Sequence, residues 1–492
     1  MQSDLDYIKE QLNRLEERML KELDSRKEFI HSLHPEQQDS ARNLIHYLAL
    51  RNEDIRELQD LLHVYGLSSL ASSESHIHRQ LQAISERLGH TYKEEEIDIC
   101  SFPFSKLKMG EKSRLLFGQK KETYIPYVMV TFDSGFANDY AMIKNLLQNG
   151  MNVARINCAH DDEATWSKMI NQLKKACTAT GLDCKIYMDL AGPKIRTNLL
   201  GKGKNKGRVK IHEGQLVWLA ETRGDFEKGE VIISPNEEGI IPMLKKGDRV
   251  FIDDGLIRCV VEKIKKDRVG IRVIRISSSK GQIKAEKGIN FPDTTLQISS
   301  LTEFDKKCLP FICENADLIG YSFVKSKEDI RQLRAELKKL GDNYPNLILK
   351  IETPDAVNNL PSLLLEGMKE RALGLMIARG DLAVEIGFER MGEIQEEILW
   401  ICEAAHIPVV WATQVLESLH KVGMATRSEI TDAGHAALAE CVMINKGEYT
   451  IEVMETLRDI VQRASTHRIK KRFTFRTLKI AERFFNSESK SL

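Results

Sequence analysis

The sequence predicts an α/β protein built on a closed (β/α)8 barrel, with a small β-barrel domain inserted into it and an α-helical region ahead of it. Three observations predict this. From about residue 124, eight short apolar runs recur, most followed by an amphipathic helical stretch. Strands separated by helices are joined as parallel neighbours, and eight such units close a barrel. Between about 198 and 288 the alternation gives way to short runs split by Gly and charged turns, the texture of antiparallel sheet. Ahead of about 120 the periodicity is helical, with little strand character. A doubly wound open sheet is the second arrangement the same alternation allows.

Taken in order, residues 1–122 form the helical extension. Leu5, Ile8, Leu12, Leu15, Met19 and Leu23 recur at spacings of three or four and make one apolar stripe. The stripe suits a helix docked on the main body; a coiled-coil contact is the alternative, for which the run is short. Several shorter helices follow, broken at Gly66 and at Ser-rich turns. His76, His78 and His90 lack a metal-ligand spacing and read as surface or helix-packing residues. The barrel takes 123–197 and 288–470. Its strand candidates are YVMVTF, NVARIN, CKIYMDL, DLIGYSFV, LILKIE, LGLMIA, IPVVWAT and CVMIN. The insert, 198–287, falls after the third of them, at the barrel mouth, where it can act as a lid. Residues 471–492 read as a basic, aromatic-bearing helix packing back, followed by a disordered end.

Composition narrows the function. Lys+Arg and Asp+Glu are both 72, so there is no basic excess to bind nucleic acid or an anionic membrane surface. The polar, acidic start MQSDLDYIKEQ is not a secretory signal, and no apolar run is long enough to span a bilayer. The nine cysteines are scattered with no CxxC pair, which fits reduced, buried thiols in a cytoplasmic protein; Cys158 alone lies inside a candidate site motif.

The stretch Leu347 to Asp381 carries the chemistry. Two apolar runs each stop at charged residues: Lys350 and Glu352 in the first, Arg379 and Asp381 in the second. Charge is costly inside a strand unless it is paired or at the strand's end, and in a parallel barrel those ends line the catalytic mouth. Two carboxylates, a lysine and an arginine meeting there suit a divalent cation holding a phosphorylated acid.

Seven motifs extend this reading: MNVARINCAH (151–160), MDLAGPKIRT (188–197), IDDGLI (252–257), KGINFP (287–292), LKIET (349–353), MIARGDLAVEI (376–386) and WATQVLES (411–418). On them the chain resembles the pyruvate kinase family from about 125 to 465. That resemblance implies the same barrel with an inserted β domain. It implies transfer of phosphate from phosphoenolpyruvate to ADP, giving pyruvate and ATP. It also implies Mg²⁺ or Mn²⁺ on Glu352 and Asp381, Lys350 beside the transferring phosphoryl group, and Arg155 and Arg196 on phosphates. By the same resemblance Thr413 is linked to protonation of the enolate. Asn157, His160, Asp254, Lys287, Arg379 and Gly380 match positions that line the substrate or nucleotide. A homo-oligomer is implied as well. Little chain remains after 465, so the family's C-terminal α/β domain, and with it activation by sugar phosphates, is not expected.

The chain departs from the family in five places. Asn157-Cys158-Ala159-His160 lacks the serine that holds a monovalent cation. Asp189-Leu190-Ala191-Gly192-Pro193 weakens a second contact to that cation. Lys194 stands where potassium-dependent members carry Glu; an ammonium beside Asp189 can take the ion's electrostatic place, so K⁺ is not expected to be required. The first strand ends VTFDSGF, and the eighth is followed by Asn445-Lys446-Gly447-Glu448 in place of Ser-Gly-Glu-Thr. Three readings follow: a K⁺-independent pyruvate kinase, a metal-dependent aldolase or lyase working through an enolate on the same site, and a non-catalytic phosphoenolpyruvate sensor or scaffold.

Overall fold

The computed structural model describes residues 2–120, 125–199, 207–222, 229–277, 281–296, 298–445, 447–465, 468–469 and 472–473. Eight parallel strands close a barrel in the order β1-β8-β7-β6-β5-β4-β3-β2. They are β1 (Tyr127–Phe132), β2 (Val153–Asn157), β3 (Lys185–Asp189), β4 (Leu318–Tyr321), β5 (Asn346–Ile351), β6 (Leu373–Ala378), β7 (Val409–Ala412) and β8 (Cys441–Ile444). The open-sheet alternative is thereby set aside. Each strand coincides with one of the apolar runs to within three residues at its ends. The runs are near-continuously apolar because helices cover the outside while side chains fill the inside, so both faces are dry.

Alternation along the strands sorts the interior into layers. Met129, Val153, Tyr187, Leu318 and Ile348 share a core inside the cylinder with Met376 and Val410. Leu116 and Phe117, at the end of the helix Phe102–Phe117, join that core. Two residues further along β1, β2, β3 and β5 the same face carries Thr131, Arg155, Asp189 and Lys350. The charged layer is therefore the next course of inward-facing residues, at the strands' C-terminal ends.

The insert has its own core, centred on Val217, Leu219, Ile233, Val250, Val261 and Ile271. Seven strands form a mostly antiparallel sheet, with Thr197–Leu199 at one edge and Ile289–Asn290 at the other. Backbone bonds close the gap between these edges: Thr197 N donates to Lys287 O (2.7 Å) and Ile289 N to Ile195 O (2.9 Å). The sheet thus curls on itself, as expected of a small β-barrel.

The N-terminal helices dock on the barrel. Ile8, Leu12, Leu15 and Met19 are buried, and their helix (Gln2–Asp24) packs on the helix Gln38–Arg51. Polar anchors fix the seam with the barrel: the Asn43 amide donates to Ala404 O (2.7 Å) as well as to Glu74 O (2.8 Å) within the helical region, and Gln37 Nε2 donates to Arg371 O (2.9 Å). His90 is exposed and His76 packs edge-on against Phe102, as a helix-packing residue should. His78 is different. It is buried between Glu16 and Asp98, 2.9 and 2.8 Å away. Burial opposes its charge, but the two carboxylates outweigh burial and raise its pKa to about 9. The C-terminal helix expected over 471–492 lies outside the described residues, apart from Arg472–Phe473, which pair with Arg468–Ile469.

Candidate active site

At the C-terminal rim the inward charges bind one another. Arg155 grips Asp189 Oδ2 through Nε (3.1 Å) and Nη2 (2.6 Å) and donates Nη1 to Thr131 Oγ1 (3.0 Å). Lys350 Nζ lies 3.2 Å from Asp189 Oδ2, 3.2 Å from Glu352 Oε1 and 2.7 Å from Ser322 Oγ. The Tyr187 hydroxyl donates to Asp189 Oδ1 (2.9 Å). Gly320 on β4 makes room for this: a Cβ there would lie 1.9 Å from the Tyr187 hydroxyl and 2.3 Å from Asp189 Oδ1. All the charged members are buried, which is tolerable only because each is paired. Burial favours the neutral acid at Asp189, yet Lys350 and Arg155 hold its carboxyl below the usual range. Burial likewise works against the Lys350 ammonium, and Asp189 and Glu352 reverse the effect.

Glu352 sits at the edge of this nest. Its Oε2 accepts a 2.5 Å bond from Phe323 N, a residue held at φ 56° just past β4. Burial and the charge of Asp381 raise its pKa, despite Lys350 and the Phe323 amide. Asp381 lies in the helix Arg379–Ile386 that follows β6, and Lys194 Nζ reaches its Oδ1 at 2.7 Å. Two carboxylates that repel each other, with oxygens directed into a polar rim, are a donor set suited to a hard divalent cation. Two cavities open at this rim, one beside Arg155 and the other beside Asp381. One, of about 330 Å³, is lined by Arg155, Asn157, His160, Gln414 and Asn445. The other, of about 270 Å³, lies between the rim and the inserted sheet and is lined by Lys194, Asn290, Thr353, Asp381 and Glu385.

Residues 128–454 match the barrel domain of pyruvate kinases. The chain belongs to the pyruvate kinase family. It is 32% identical to a pyruvate kinase of Bacillus licheniformis over 65% of this chain and 54% of that protein. It is 31% identical to one of Thermotoga maritima over 69% and 70%, and 30% identical to one of Dictyostelium discoideum over 68% and 66%. It spans about half the length of the first of these relatives. The family match begins after the N-terminal helices, which lie outside it.

The candidate residues fall into groups within this pyruvate kinase barrel. Arg155, Asp189, Lys350 and Glu352 form one contact network, and Lys194 and Asp381 form the ion pair beside it. Thr413 leaves β7 at φ 64° and accepts from Gly380 N (2.8 Å), which ties the ends of β6 and β7 together. Arg379 is committed to the same corner: it bonds Ala412 O (3.0 Å), Thr413 O (2.5 Å) and Asp432 (2.5 Å) and stacks on Trp411. Its contacts make it a brace for the Thr413 turn. Asn157 and His160 line the first cavity. Arg196 braces the insert by donating to Glu286 O (3.0 Å), and Lys287 pairs with Asp253 (2.8 Å) rather than Asp254. Cys158 is buried, and burial raises its thiol pKa well above the ordinary value, so it resembles the other cysteines after all.

Sequence reasoning missed Thr131, Tyr187 and Ser322, which orient the network, and the contact between Asn290 Nδ2 and Glu385 Oε1 (2.7 Å) that joins the insert to the rim. Ser322, a polar residue at the end of an apolar run, carried the same signal as Lys350. Gly192, at φ 66°, lets the loop after β3 press on β4: a Cβ there would meet Phe323 at 2.7 Å. Burial, then Asp381, pushes the Glu385 carboxyl up to about 7 against the help of Asn290, from an ordinary 4.5. Between those values the folded chain holds the extra proton, so stability falls as pH rises. Glu385→Gln is expected to raise the melting temperature at about pH 8 and to change little near pH 4.5; thermal melts at the two pH values check this.

Proposed function

We propose that this chain is a pyruvate kinase that transfers the phosphoryl group of phosphoenolpyruvate to ADP, uses Mg²⁺ or Mn²⁺, and needs no K⁺. The observation that carries the reading is the convergence of Lys350, Arg155, Glu352 and Asp189 at one rim, beside the Lys194–Asp381 pair. Phosphoryl transfer asks mainly for positioning and for charge that neutralises the moving oxygens. Lys350 supplies a point charge and Arg155 a fork, and both are preorganised by Asp189. Glu352 and Asp381 are the residues that would hold the divalent cation, which when bound supplies Lewis-acid stabilisation of substrate oxygens. Thr413, whose hydroxyl accepts from Gly380 N, would support proton delivery to the enolate. Asn157, His160 and Arg196 would contact substrate or nucleotide, and Lys287 and Asp254 would join them from the insert on closure. We further propose a cytoplasmic homo-oligomer; sedimentation analysis reads its size.

A coupled assay of pyruvate release with Mg²⁺, with and without ADP, tests this. Turnover that requires both substrates supports it. Tight phosphoenolpyruvate binding without turnover would favour the sensor reading, and turnover without ADP the enolate-enzyme reading. The K⁺ prediction is separate. Lys194 Nζ already sits on Asp381, so wild-type activity is expected to be unchanged on replacing K⁺ with a tetraalkylammonium ion. Lys194→Glu is expected to fall about tenfold or more without K⁺ and to recover with it. Activity in both ionic media checks this.

A further inference from the structure

The described N-terminal helices enclose a polar cluster that takes no part in the barrel's chemistry. Glu16 comes from the helix Gln2–Asp24, His46 from Gln38–Arg51 and His78 from Ile77–Arg87; Asp98 comes from the loop before Phe102–Phe117. His46 is 0% exposed, His78 4%, Asp98 6% and Glu16 9%. Asp98 is oriented by Cys100 N, which donates to its Oδ1 at 2.8 Å. Its Oδ2 is thereby turned to both imidazoles, 2.8 Å from His78 Nδ1 and 3.4 Å from His46 Nδ1.

His46 is the unexplained member. Its Nδ1 has only the long 3.4 Å approach to Asp98 Oδ2 and its Nε2 has no hydrogen-bond partner among the described residues, although the ring is fully buried. A buried polar atom left unpaired is costly, so such groups ordinarily have a ligand or water to meet. The three donors His46, His78 and Asp98 all lie within 4.8 Å of one another. Nitrogen and oxygen ligands at the usual zinc distances stand about 3.3 Å apart in a tetrahedron, so 2.8 and 3.4 Å need little adjustment. Support behind the His78 ring is also present: Glu16 Oε1 lies 2.9 Å from His78 Nε2, and Tyr92 and Gln82 hold Glu16 in turn at 2.6 and 3.3 Å. A carboxylate behind a ligating imidazole fixes its tautomer and strengthens it as a ligand.

We infer that His46, His78 and Asp98 form a site for a borderline-soft divalent transition-metal ion, Zn²⁺ foremost, that staples the N-terminal helices together. Its ligands come from two helices and a loop, with Glu16 adding the first helix behind His78. Binding exchanges the proton between His78 and Asp98 for the ion, without redox change. It is separate from the cation on Glu352 and Asp381, whose all-oxygen donors suit harder ions.

The test uses the full chain in a Glu352→Gln background, stripped with a chelator and titrated with Co²⁺ or Zn²⁺. One ion is expected to bind, with a visible Co²⁺ ligand-field band and a rise in melting temperature of about 3 °C or more. His46→Leu removes a ring whose one polar contact is the long 3.4 Å approach to Asp98 Oδ2, while Asp98 keeps its bonds from His78 and Cys100 N. It is expected to melt unchanged without metal and to lose both the band and the shift. X-ray absorption at the cobalt edge, which needs no change in the cluster, is expected to show two imidazole ligands. No band and no shift in the background protein, or a cobalt shell of oxygen alone, would overturn the site and leave His78 as a buried ion pair. A band that survives in His46→Leu would overturn it equally.

Discussion

Lys350→Met is expected to lower phosphoryl transfer by about 10³-fold or more and to cost about 3–5 kcal/mol of stability. The two losses share one cause. The ammonium is the common partner of Asp189 and Glu352, at 3.2 Å from each, and both acids are buried. Methionine fills the space but leaves Glu352 without its cation, beside Asp381. Arg155 still holds Asp189, so the barrel is expected to remain closed. Lys350→Arg is not expected to rescue activity, because the Ser322 hydroxyl at 2.7 Å and the neighbouring carboxylates fit a compact ammonium. The coupled pyruvate assay reads the first effect and urea unfolding the second.

Glu352→Gln separates activity from stability. Activity is expected to fall about 10²-fold or more at every Mg²⁺ concentration, because one of the two proposed cation ligands becomes a neutral amide. Stability without metal is expected to hold or rise. Burial and Asp381 raise the Glu352 pKa, so its charge is carried at a cost that glutamine avoids. The amide oxygen can still accept from Phe323 N. Kinetics across a Mg²⁺ series, with melting curves taken in chelator, check both halves. A fall in melting temperature as large as that of Lys350→Met would show that Glu352 serves the fold more than the site.

The barrel was legible because a parallel strand covered on both sides has to be largely apolar, and each of the eight strands is, apart from polar residues near strand ends such as Arg155, Asp189 and Lys350. The charged rim was legible for the complementary reason: a lysine or acid at the end of such a run has nowhere to be except the mouth. Asp189, however, reads in sequence as a monovalent-cation neighbour, whereas its contacts are to Arg155, Lys350 and Tyr187. Partners on different strands follow from barrel register, and one chain's sequence does not print register. Tyr187 gave no signal, since an aromatic inside an apolar run reads as core. His46 and His78 stand 32 positions apart on separate helices, and Asp98 lies in a loop, so no local spacing announced their meeting. The Asn290–Glu385 contact was hidden likewise, because it depends on how the insert folds back over the rim.

The central claim is that Glu352 and Asp381 share one divalent ion within reach of Lys350. A crystal structure with Mn²⁺ and phosphoenolpyruvate, read by anomalous scattering at the manganese edge, measures this directly. One strong peak is expected, bonded to an oxygen of each carboxylate, with Lys350 Nζ against the phosphoryl group. A manganese peak that leaves either carboxylate unbonded, or a phosphoryl group seated away from Lys350, would contradict it.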